Sequence, residues 1–592
     1  AFTLYLSIFA QSGYWQQEVD YQMTVDFDHT KHQFSGIQKL TYTNHSPDTL
    51  NRVFYHLYFN AFQPGSAMDI RSQNVVDPDE RIADRISKLS PEEIGYHKIE
   101  SLKRDGKELK TSTEGTVLIV QLTDPILPGE SAVFEMKFKS QVPIQIRRSG
   151  RNNSEGVDYT MTQWYPKMAE YDRDGWHTDP YVSREFHGVF GKFDITVLID
   201  PKYVVAGTGK STETIENGKK KWHSVASNVH DFAWAADPNF VHATTQVPDG
   251  PILHFYHLND TAINANWKKL EPATVKLFEI MNAKFGLYPF DQFSVIQAGD
   301  GGMEYPQCTM ISGTGSLGGL ISVTVHEAIH NWYYGVLASN ELKFPWMDEG
   351  FTTYAQNVVL DSLRGKSTYN PHKRSYNSYV GYTTRKDEEP LTTHADHYET
   401  NQGYGVAAYS KGCIFLNQLR YIIGDQTFEA AMLHYWAKWK FKHPTPQDFK
   451  HVLESASGLE LDWYFEAWLG TSTQIDYAIR QVISDGGKTK ILIERIGEMP
   501  MPLEVEVTTE KGSKTYYIPL GVMRGDKNFG NRKDISINKD WIWAYTYYEL
   551  NIDESFKSIQ NVIIDPMEMT ADVDRSQNQF PMATETRILR SE

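Results

Sequence analysis

Two histidines at a helical spacing constrain the fold of this chain more than any other feature. His326 and His330 frame the segment His-Glu-Ala-Ile-His, and Glu349 follows after eighteen intervening residues. On a helix, side chains four residues apart lie about 40° apart around the axis and about 6 Å apart along it, a span that one metal ion can bridge. The fold is therefore expected to bring a second element, which carries Glu349, against this helix.

The residue types indicate a catalytic zinc site. Catalytic zinc takes three protein ligands and leaves a fourth position for water, and His326, His330 and Glu349 supply such a set. Metal-bound water loses a proton near neutral pH, and Glu327 between the histidines is placed to act as its general base. The alternative, a solvated helix face, does not fit the apolar residues that flank the motif, such as Trp332.

The length and composition of the chain argue against several other classes of protein. A chain of 592 residues is too long for a single core and predicts several domains. The net charge of −17 argues against a nucleic-acid partner, and no stretch reaches the roughly 20 apolar residues of a membrane span. The two cysteines, Cys308 and Cys413, do not form a disulfide framework, and both are expected to be buried thiols.

The first residues are similar to the end of a secretory signal. An apolar run over 2–10 closes on the small residue Ala10, which favours a periplasmic or extracellular protein over a cytoplasmic one. The alternative is a short N-terminal strand.

The spacing of apolar residues changes twice along the chain, and this pattern predicts a multidomain α+β fold. Residues 1–257 alternate in short runs and predict an all-β N-terminal domain. Residues 258–475 follow a helical period and predict a mainly helical catalytic domain, whereas strand patterns return over 476–592 and predict a C-terminal β-sandwich. Two polar segments, 63–98 and 147–158, are expected to be long surface loops.

Within the helical region, three predicted helices organise the site. They cover 264–285, 320–334 and 349–363, and each ends at or near a glycine. The two histidines therefore lie in the middle of the second helix, and Glu349 opens the third.

Four motifs follow one another along the chain: Gly301-Gly302-Met303-Glu304, His326-Glu327-x-x-His330-x-Trp332, Trp346-Met347-Asp348-Glu349-Gly350-Phe351 and Tyr409-Ser410-Lys411-Gly412. In this order and spacing they resemble the zinc aminopeptidases of the aminopeptidase N and leukotriene hydrolase type, which are gluzincin metallopeptidases. The resemblance implies a thermolysin-like catalytic domain with one zinc ion, and peptide substrates that have a free amino terminus.

The resemblance also implies roles for residues that the spacing alone does not assign. Gly301, Gly302 and Met303 would form a strand that binds the substrate, and Glu304 would hold its α-amine, because a carboxylate binds an ammonium well. Tyr409 would donate a hydrogen bond to the oxyanion. Without the resemblance, the glycine segment would be interpreted as a turn and Tyr409 as one core aromatic among 34 tyrosines.

Three positions beside the motifs are compared with the family pattern, and two of them, Tyr305 and Asp348, depart from it. Tyr305 replaces the asparagine that usually follows the glutamate, which puts the binding of the substrate end in doubt. Asp348 replaces an asparagine before the third ligand, and Asn331 follows the second ligand where glutamine or asparagine is usual. Both are expected to tune the metal through its ligands.

Three functions are weighed against one another. The leading one is a zinc aminopeptidase that removes N-terminal residues from peptides by means of a metal-activated water. An epoxide hydrolase would use the same zinc site, and a non-catalytic scaffold would use only the fold. The scaffold is disfavoured because the ligands, the base and Tyr409 are all retained. The preferred N-terminal residue, the physiological peptide and the oligomeric state are not readable from the sequence.

Overall fold

A computed structural model describes residues 13–385 and 387–581. The predicted signal remnant over 1–10 lies outside the described residues, so export stays a prediction. Cys308 and Cys413 are both free and buried, as predicted.

The N-terminal region is built from strands, as the alternating pattern predicted. In the first strand, Tyr21, Met23, Val25 and Phe27 are buried while the residues between them are more exposed, the pattern of a sheet with one face on the core. The strands are β1 (Glu18–Asp28), β2 (Gln33–Thr43), β3 (Leu50–His56), β4 (Tyr96–Arg104), β5 (Lys107–Glu108), β6 (Lys110–Glu114), β7 (Val117–Ile126), β8 (Ser131–Gln141), β9 (Gly150–Arg151), β10 (Tyr159–Met161), β11 (Lys167–Met168), β12 (Tyr171–Asp172), β13 (Gly175–Trp176), β14 (Gly191–Ile199), β15 (Val204–Gly207), β16 (Lys210–Glu216), β17 (Lys219–Val229) and β18 (Trp234–Asp237).

An eight-stranded sheet dominates this region, with the strand order β16-β17-β14-β1-β2-β8-β4-β5. Strand β1 pairs antiparallel with β2, where Tyr21 lies opposite Leu40, and parallel with β14, where Tyr21 lies opposite Phe193. The smaller sheets have the orders β15-β18-β10-β9, β11-β3-β7-β6 and β12-β13. Tyr21 and Phe193 stack within the hydrophobic cluster that these sheets enclose.

The prediction that 63–98 and 147–158 are surface loops is wrong in part. The first segment contains helix α1 (Ala67–Asn74), and the second contains Arg147 and Arg148, which are both buried. These two arginines form buried ion pairs with Asp300 and Glu185, because a buried charge is tolerated when it is paired.

The central region combines one sheet with most of the helices. Its five strands have the order β19-β20-β21-β23-β22. They are β19 (Phe240–Gln246), β20 (Ile252–Leu258), β21 (Gln292–Gln297), β22 (Gly302–Tyr305) and β23 (Cys308–Ile311). Strand β19 precedes the predicted boundary at residue 258 and β20 ends on that residue, yet β20 pairs in parallel with β21, which follows the boundary. Parallel pairing joins strands that are distant in sequence, so the change of period at 258 does not coincide with an edge of the sheet.

The helices begin and end close to the predicted positions, and side chains cap several of them. They are α2 (Thr261–Lys284), α3 (Leu317–Tyr333), α4 (Phe351–Leu363), α5 (Lys373–Thr383), α6 (Asn401–Gly405), α7 (Gly412–Ile423), α8 (Asp425–Trp439), α9 (Pro446–Ser457) and α10 (Asp462–Gly470). Asp260 and Ser316 accept hydrogen bonds from the first turns of α2 and α3, the usual way to satisfy those backbone donors. Two π-helices, Trp346–Gly350 and Val406–Lys411, lead directly into α4 and α7.

The C-terminal region returns to strands, in two sheets with the orders β24-β25-β29 and β28-β27-β26-β30-β31. The strands are β24 (Tyr477–Asp485), β25 (Lys488–Arg495), β26 (Leu503–Thr509), β27 (Gly512–Ile518), β28 (Ile535–Ile537), β29 (Tyr547–Ile552), β30 (Ile559–Ile564) and β31 (Gln579–Phe580). Their buried side chains continue the hydrophobic cluster of the helices. Among the described residues, none of the helices has the length and apolar content needed to cross a bilayer.

Candidate metal centre and active site

Helix α3 holds the two histidines in a fixed orientation. Val325, Ala328, Ile329 and Trp332 on this helix are buried in the central hydrophobic cluster. Because burial of such a stripe fixes the rotation of a helix about its axis, the polar side chains of the motif have only one direction to face. The helix packs against α4 on one side and against strands β22 and β23 on another.

The predicted metal ligands come together as a compact triangle. The Oε2 atom of Glu349 lies 3.1 Å from His326 Nε2 and 3.3 Å from His330 Nε2, and the two Nε2 atoms are 3.3 Å apart. A tetrahedral zinc ion with bonds of roughly 2.0–2.1 Å holds its ligand atoms about 3.3 Å from one another. The donor set therefore fits a single zinc ion in both chemistry and spacing.

Hydrogen bonds to the far side of each imidazole orient the ligands. His330 Nδ1 lies 2.5 Å from Asp348 Oδ1, and His326 Nδ1 lies 3.2 Å from Gln356 Oε1. Each Nδ1 faces an acceptor and so carries a proton, which leaves Nε2 of both rings free to bind a metal. Asp348 thus orients a ligand, as the sequence predicted for this position.

The charges of the triangle also suit a cation. Burial lowers the pKa of His330, but Asp348, Glu304 and Glu349 raise it, so that it ends well above its usual value. Burial raises the pKa of Glu349, and the imidazoles of His330 and His326 bring it below its usual value. A positive charge is therefore favoured at this point, and a divalent ion takes the place of the proton when it binds.

Glu327 and Glu304 lie beside the triangle, and both are buried. One oxygen of each carboxylate and a nitrogen of His330 lie within 4.8 Å of one another. Burial and the neighbouring Glu304 raise the pKa of Glu327 well above its usual value. Burial also raises the pKa of Glu304, against the lowering effect of His330. Two carboxylates in such proximity attract a cationic group and bind protons readily.

The glycine segment before Glu304 allows this approach. Strand β22 is the edge strand of its sheet, and a Cβ atom on Gly302 would lie 2.3 Å from Glu327 Oε1. Gly301 has a φ of +88°, a left-handed conformation that side chains disfavour. Met303 is buried and its carbonyl accepts a hydrogen bond from Thr309; because side chains alternate along a strand, the next residue, Glu304, faces the opposite side of the sheet from Met303.

Replacement of Gly302 by alanine is therefore expected to impair catalysis more than folding. The added methyl group would displace the flexible Glu327 carboxylate, and misplacement of a reacting group by about 1 Å can cost 10²-fold in rate. We expect kcat/KM for an aminoacyl amide to fall about 10- to 100-fold. Steady-state kinetics and a thermal melt measure the two effects. The matched control is Gly315→Ala, where a Cβ meets no atom within 4 Å; equal activity of both variants would contradict the assignment.

Tyr409 lies over the triangle. Its hydroxyl donates a hydrogen bond to Glu349 Oε1, and its ring stacks on His326 with the ring centroids 5.8 Å apart. Burial and the Glu349 charge raise the pKa of the Tyr409 hydroxyl well above its usual value. The group is therefore protonated at neutral pH and available as a donor.

The two π-helices bring Glu349 and Tyr409 together. Glu349 lies in the first of them and Tyr409 in the second, and such turns are frequent at functional sites. Gly350 and Gly412 are in contact: a Cβ on Gly350 would lie 2.8 Å from Gly412 Cα, and a Cβ on Gly412 would lie 3.0 Å from Gly350 Cα. Only a pair of glycines allows the two segments to approach this closely.

Tyr305 and Asn331, the other two positions compared with the family pattern, have structural roles. The Tyr305 side chain is fully buried, and its hydroxyl donates to Gln163 Oε1 at 3.2 Å. Asn331 accepts from the amide of Gln307 and donates to the Tyr305 carbonyl. Asn331 therefore ties α3 to the β22–β23 turn, and its effect on the metal stays a prediction.

Sequence reasoning missed several charged residues near the site. One oxygen each of Glu341, Glu304 and Asp348 lie within 4.8 Å of one another, and Glu341 also accepts from the amide of Phe186. Arg148 contacts the carbonyl of Gly302. These residues come from a connector and from the N-terminal region, and no local pattern marks them. Gln356 could have been found, since it lies seven residues after Glu349 and so on the same helical face.

Comparison with known proteins agrees with this arrangement. The family profile described as "Peptidase family M1 domain" matches residues 272–468. The chain is similar to a leukotriene A-4 hydrolase homolog of Botryotinia fuckeliana, with 24% identity over 37% of this chain and 37% of the relative. It is also similar to leucine aminopeptidase 2 of Emericella nidulans, with 27% identity over 32% of this chain and 33% of the relative. The matched region thus spans about a third of the length of these curated relatives.

Solved structures agree on the fold. The M1 zinc metallopeptidase of Deinococcus radiodurans is similar with a TM-score of 0.54 and 15% identity, over 77% of this chain and 93% of that one. The fold is that of these solved zinc metallopeptidases. Residues 272–468, which carry the donor triangle, match the peptidase family M1 domain.

Proposed function

We propose that this protein is a zinc aminopeptidase that hydrolyses the N-terminal residue from peptides. The observation that carries the proposal is the position of Glu304, whose carboxylate lies within 4.8 Å of both Glu327 and His330. An acceptor for an ammonium group thus lies next to the base and the metal ligands. A peptide bound by its free amine at Glu304 would place its first carbonyl at the metal.

His326, His330 and Glu349 are the residues that would hold the zinc ion. Zinc at such a site supplies a Lewis acid and lowers the pKa of bound water toward about 7. Two imidazoles with one carboxylate are a known donor set for catalytic zinc.

The other residues perform the proton transfers and the positioning. Glu327 accepts the proton of the attacking water and later gives it to the leaving amine. Tyr409 donates its hydroxyl proton in a hydrogen bond to the carbonyl oxygen as negative charge develops there. To do so, its hydroxyl turns from Glu349 toward the substrate. Glu304 holds the α-ammonium throughout.

Neither alternative function gains support from the site. A cluster of four buried carboxylates, those of Glu304, Glu327, Glu341 and Asp348, favours a cationic amine over an apolar lipid epoxide. A scaffold would not need ligands, base and hydroxyl donor in one buried cluster. Peptides with a free amino terminus are therefore the proposed substrates.

A panel of aminoacyl fluorogenic amides tests the proposal. We expect cleavage of leucyl, alanyl and tyrosyl amides, and leucine is included because of the names of the relatives. N-acetylated forms are expected to react at least about 10- to 100-fold more slowly in kcat/KM, since a charge-assisted hydrogen bond of roughly 1.5–3 kcal/mol is lost. A chelator should abolish turnover, and added zinc should restore it.

The acetylated substrates also provide the decisive control. Glu304→Gln should reduce the preference for free amines, because the amide carries no charge to pair with the ammonium. Rapid cleavage of blocked substrates by the unmodified protein would show that the free amine is not the recognition element. Chelator-insensitive cleavage would rule out the metal centre as its source.

A further inference from the structure

An arginine of the N-terminal region contacts the strand that carries Glu304. Arg148 Nη1 donates to the carbonyl oxygen of Gly302 at 3.0 Å, and Arg148 Nη2 donates to Glu185 Oε1 at 2.5 Å. The side chain is only 7% exposed. A guanidinium can make both contacts at once because its donors form a rigid planar fork.

The residue before the glycines is held from the same side. Asp300 accepts from Arg147 Nη1 at 2.7 Å and from the backbone amide of Arg148 at 2.8 Å, and Arg81 Nη1 donates to its carbonyl at 3.1 Å. Burial raises the pKa of Asp300, but the arginines bring it below its usual value. Asp300 is therefore ionised, and its side chain is 5% exposed.

This segment needs such support because its backbone is unusual. Asp300 has a φ of +81° and Gly301 a φ of +88°. A non-glycine residue in the left-handed region is strained, and it persists only where its surroundings hold it. The Gly302 carbonyl is bonded to Arg148, while the Cα of Gly302 lies against Glu327. The strand is thus confined between an arginine and the base.

Arg148 is also close to several buried carboxylates. The carboxylates of Glu185, Asp300 and Glu304 raise its pKa in spite of burial. Its positive charge offsets part of the repulsion among these carboxylates. The same residue therefore sets both the position of the strand and the balance of charge around Glu304.

We propose that Arg148 is a positioning residue that aligns Glu304 with the substrate α-amine by holding the Gly302 carbonyl. The inference rests on the proposed aminopeptidase function. Arg148 acts through the strand and its own contacts are with protein groups, so it is not a catalytic residue. The N-terminal region thereby contributes to recognition of the amine.

Two hydroxamate inhibitors separate this role from a general structural one. Leucine hydroxamate carries the α-amine, and 4-methylpentanohydroxamate is the same molecule without it. Both bind through the metal, so the ratio of their inhibition constants isolates the contribution of the amine. In the unmodified protein we expect the amine to improve inhibition about 10- to 100-fold, the range of a charge-assisted hydrogen bond.

In Arg148→Met we expect that ratio to fall to about 3 or less, while the constant for 4-methylpentanohydroxamate changes less than about 3-fold. Arg148→Lys keeps the charge but loses the fork, and its ratio should lie between the two. Zinc content and a thermal melt verify that each variant is loaded and folded. Arg52→Met is the matched control, since Arg52 lies in the same region, is exposed and packs over Phe54; its ratio should be unchanged.

The possible outcomes are distinct. An unchanged ratio in Arg148→Met would overturn the inference, and so would equal weakening of both inhibitors, which indicates a general structural role. If Arg148→Met does not fold, Arg148→Lys decides by the same two criteria. If the zinc-loaded unmodified protein cleaves no aminoacyl amide and its own ratio is near 1, the proposed function itself has failed.

Discussion

Replacement of Glu327 by glutamine is expected to lower kcat by about 10²- to 10⁴-fold, the usual contribution of a general base. The amide preserves the shape of the side chain but cannot accept the proton of the attacking water. Glu327 is outside the donor triangle of His326, His330 and Glu349, so the metal should stay bound. The expected result is a folded, zinc-loaded and nearly inactive protein.

Kinetics with an aminoacyl amide and metal analysis of the same sample measure both parts of this prediction. Glu429→Gln is a suitable control, because Glu429 is an exposed glutamate on α8. Glu327→Gln with normal turnover would contradict the proposed mechanism. Loss of zinc in Glu327→Gln would instead show that the residue holds the metal.

Replacement of His330 by alanine should have the second large effect, through loss of the metal. His330 is fully buried and supplies one corner of the triangle. Its removal leaves two ligands, and zinc content should fall from about one ion per chain to near zero, since catalytic zinc requires about three protein ligands. Activity should disappear with it.

Stability provides an independent measurement of the same loss. A ligand that binds only the native state at 100 times its Kd stabilises that state by about 2.7 kcal/mol. The melting temperature of the unmodified protein should therefore fall when a chelator is added, whereas that of His330→Ala should not respond. The exposed His451 on α9 offers the control, and His451→Ala should keep both zinc and the chelator response. A chelator response in His330→Ala would indicate a metal elsewhere.

The sequence was sufficient to predict the parts of the site that lie close together along the chain. The spacing of His326 and His330 is a property of one helix, and its periodic apolar residues mark that helix clearly. Glu349 opens the next predicted helix, so a single packing contact completes the triangle. Glu304 and Tyr409 were found only through the family resemblance, because nothing in their local pattern separates them from turn and core residues.

The rest depends on contacts between distant segments. Arg148 reaches the strand of Glu304 from the N-terminal region, about 150 residues earlier in the chain, and is itself bonded to Glu185. The segment of Arg148, 147–158, is polar and was predicted to lie at the surface. The parallel pairing of β1 with β14 could not be predicted from the sequence either. The alternation of apolar and polar residues indicates which face of the sheet a residue occupies, but not which strand lies beside it. A π-helix adds one residue to a turn and leaves the apolar period almost unchanged, so both π-helices escaped prediction.

The contact between Gly350 and Gly412 has a consequence for anyone who would transplant this chemistry to another scaffold. The motif of His326 and His330, followed by Glu349, could be mistaken for a unit that folds independently of the rest of the chain. Here the segment of Glu349 packs, backbone against backbone, on a segment that lies some sixty residues later in the chain, and Glu349 accepts a hydrogen bond from Tyr409 of that segment. A graft of these two motifs alone would transfer Glu349 without the segment that supports it. The smallest unit to transfer must therefore include the segment of Tyr409.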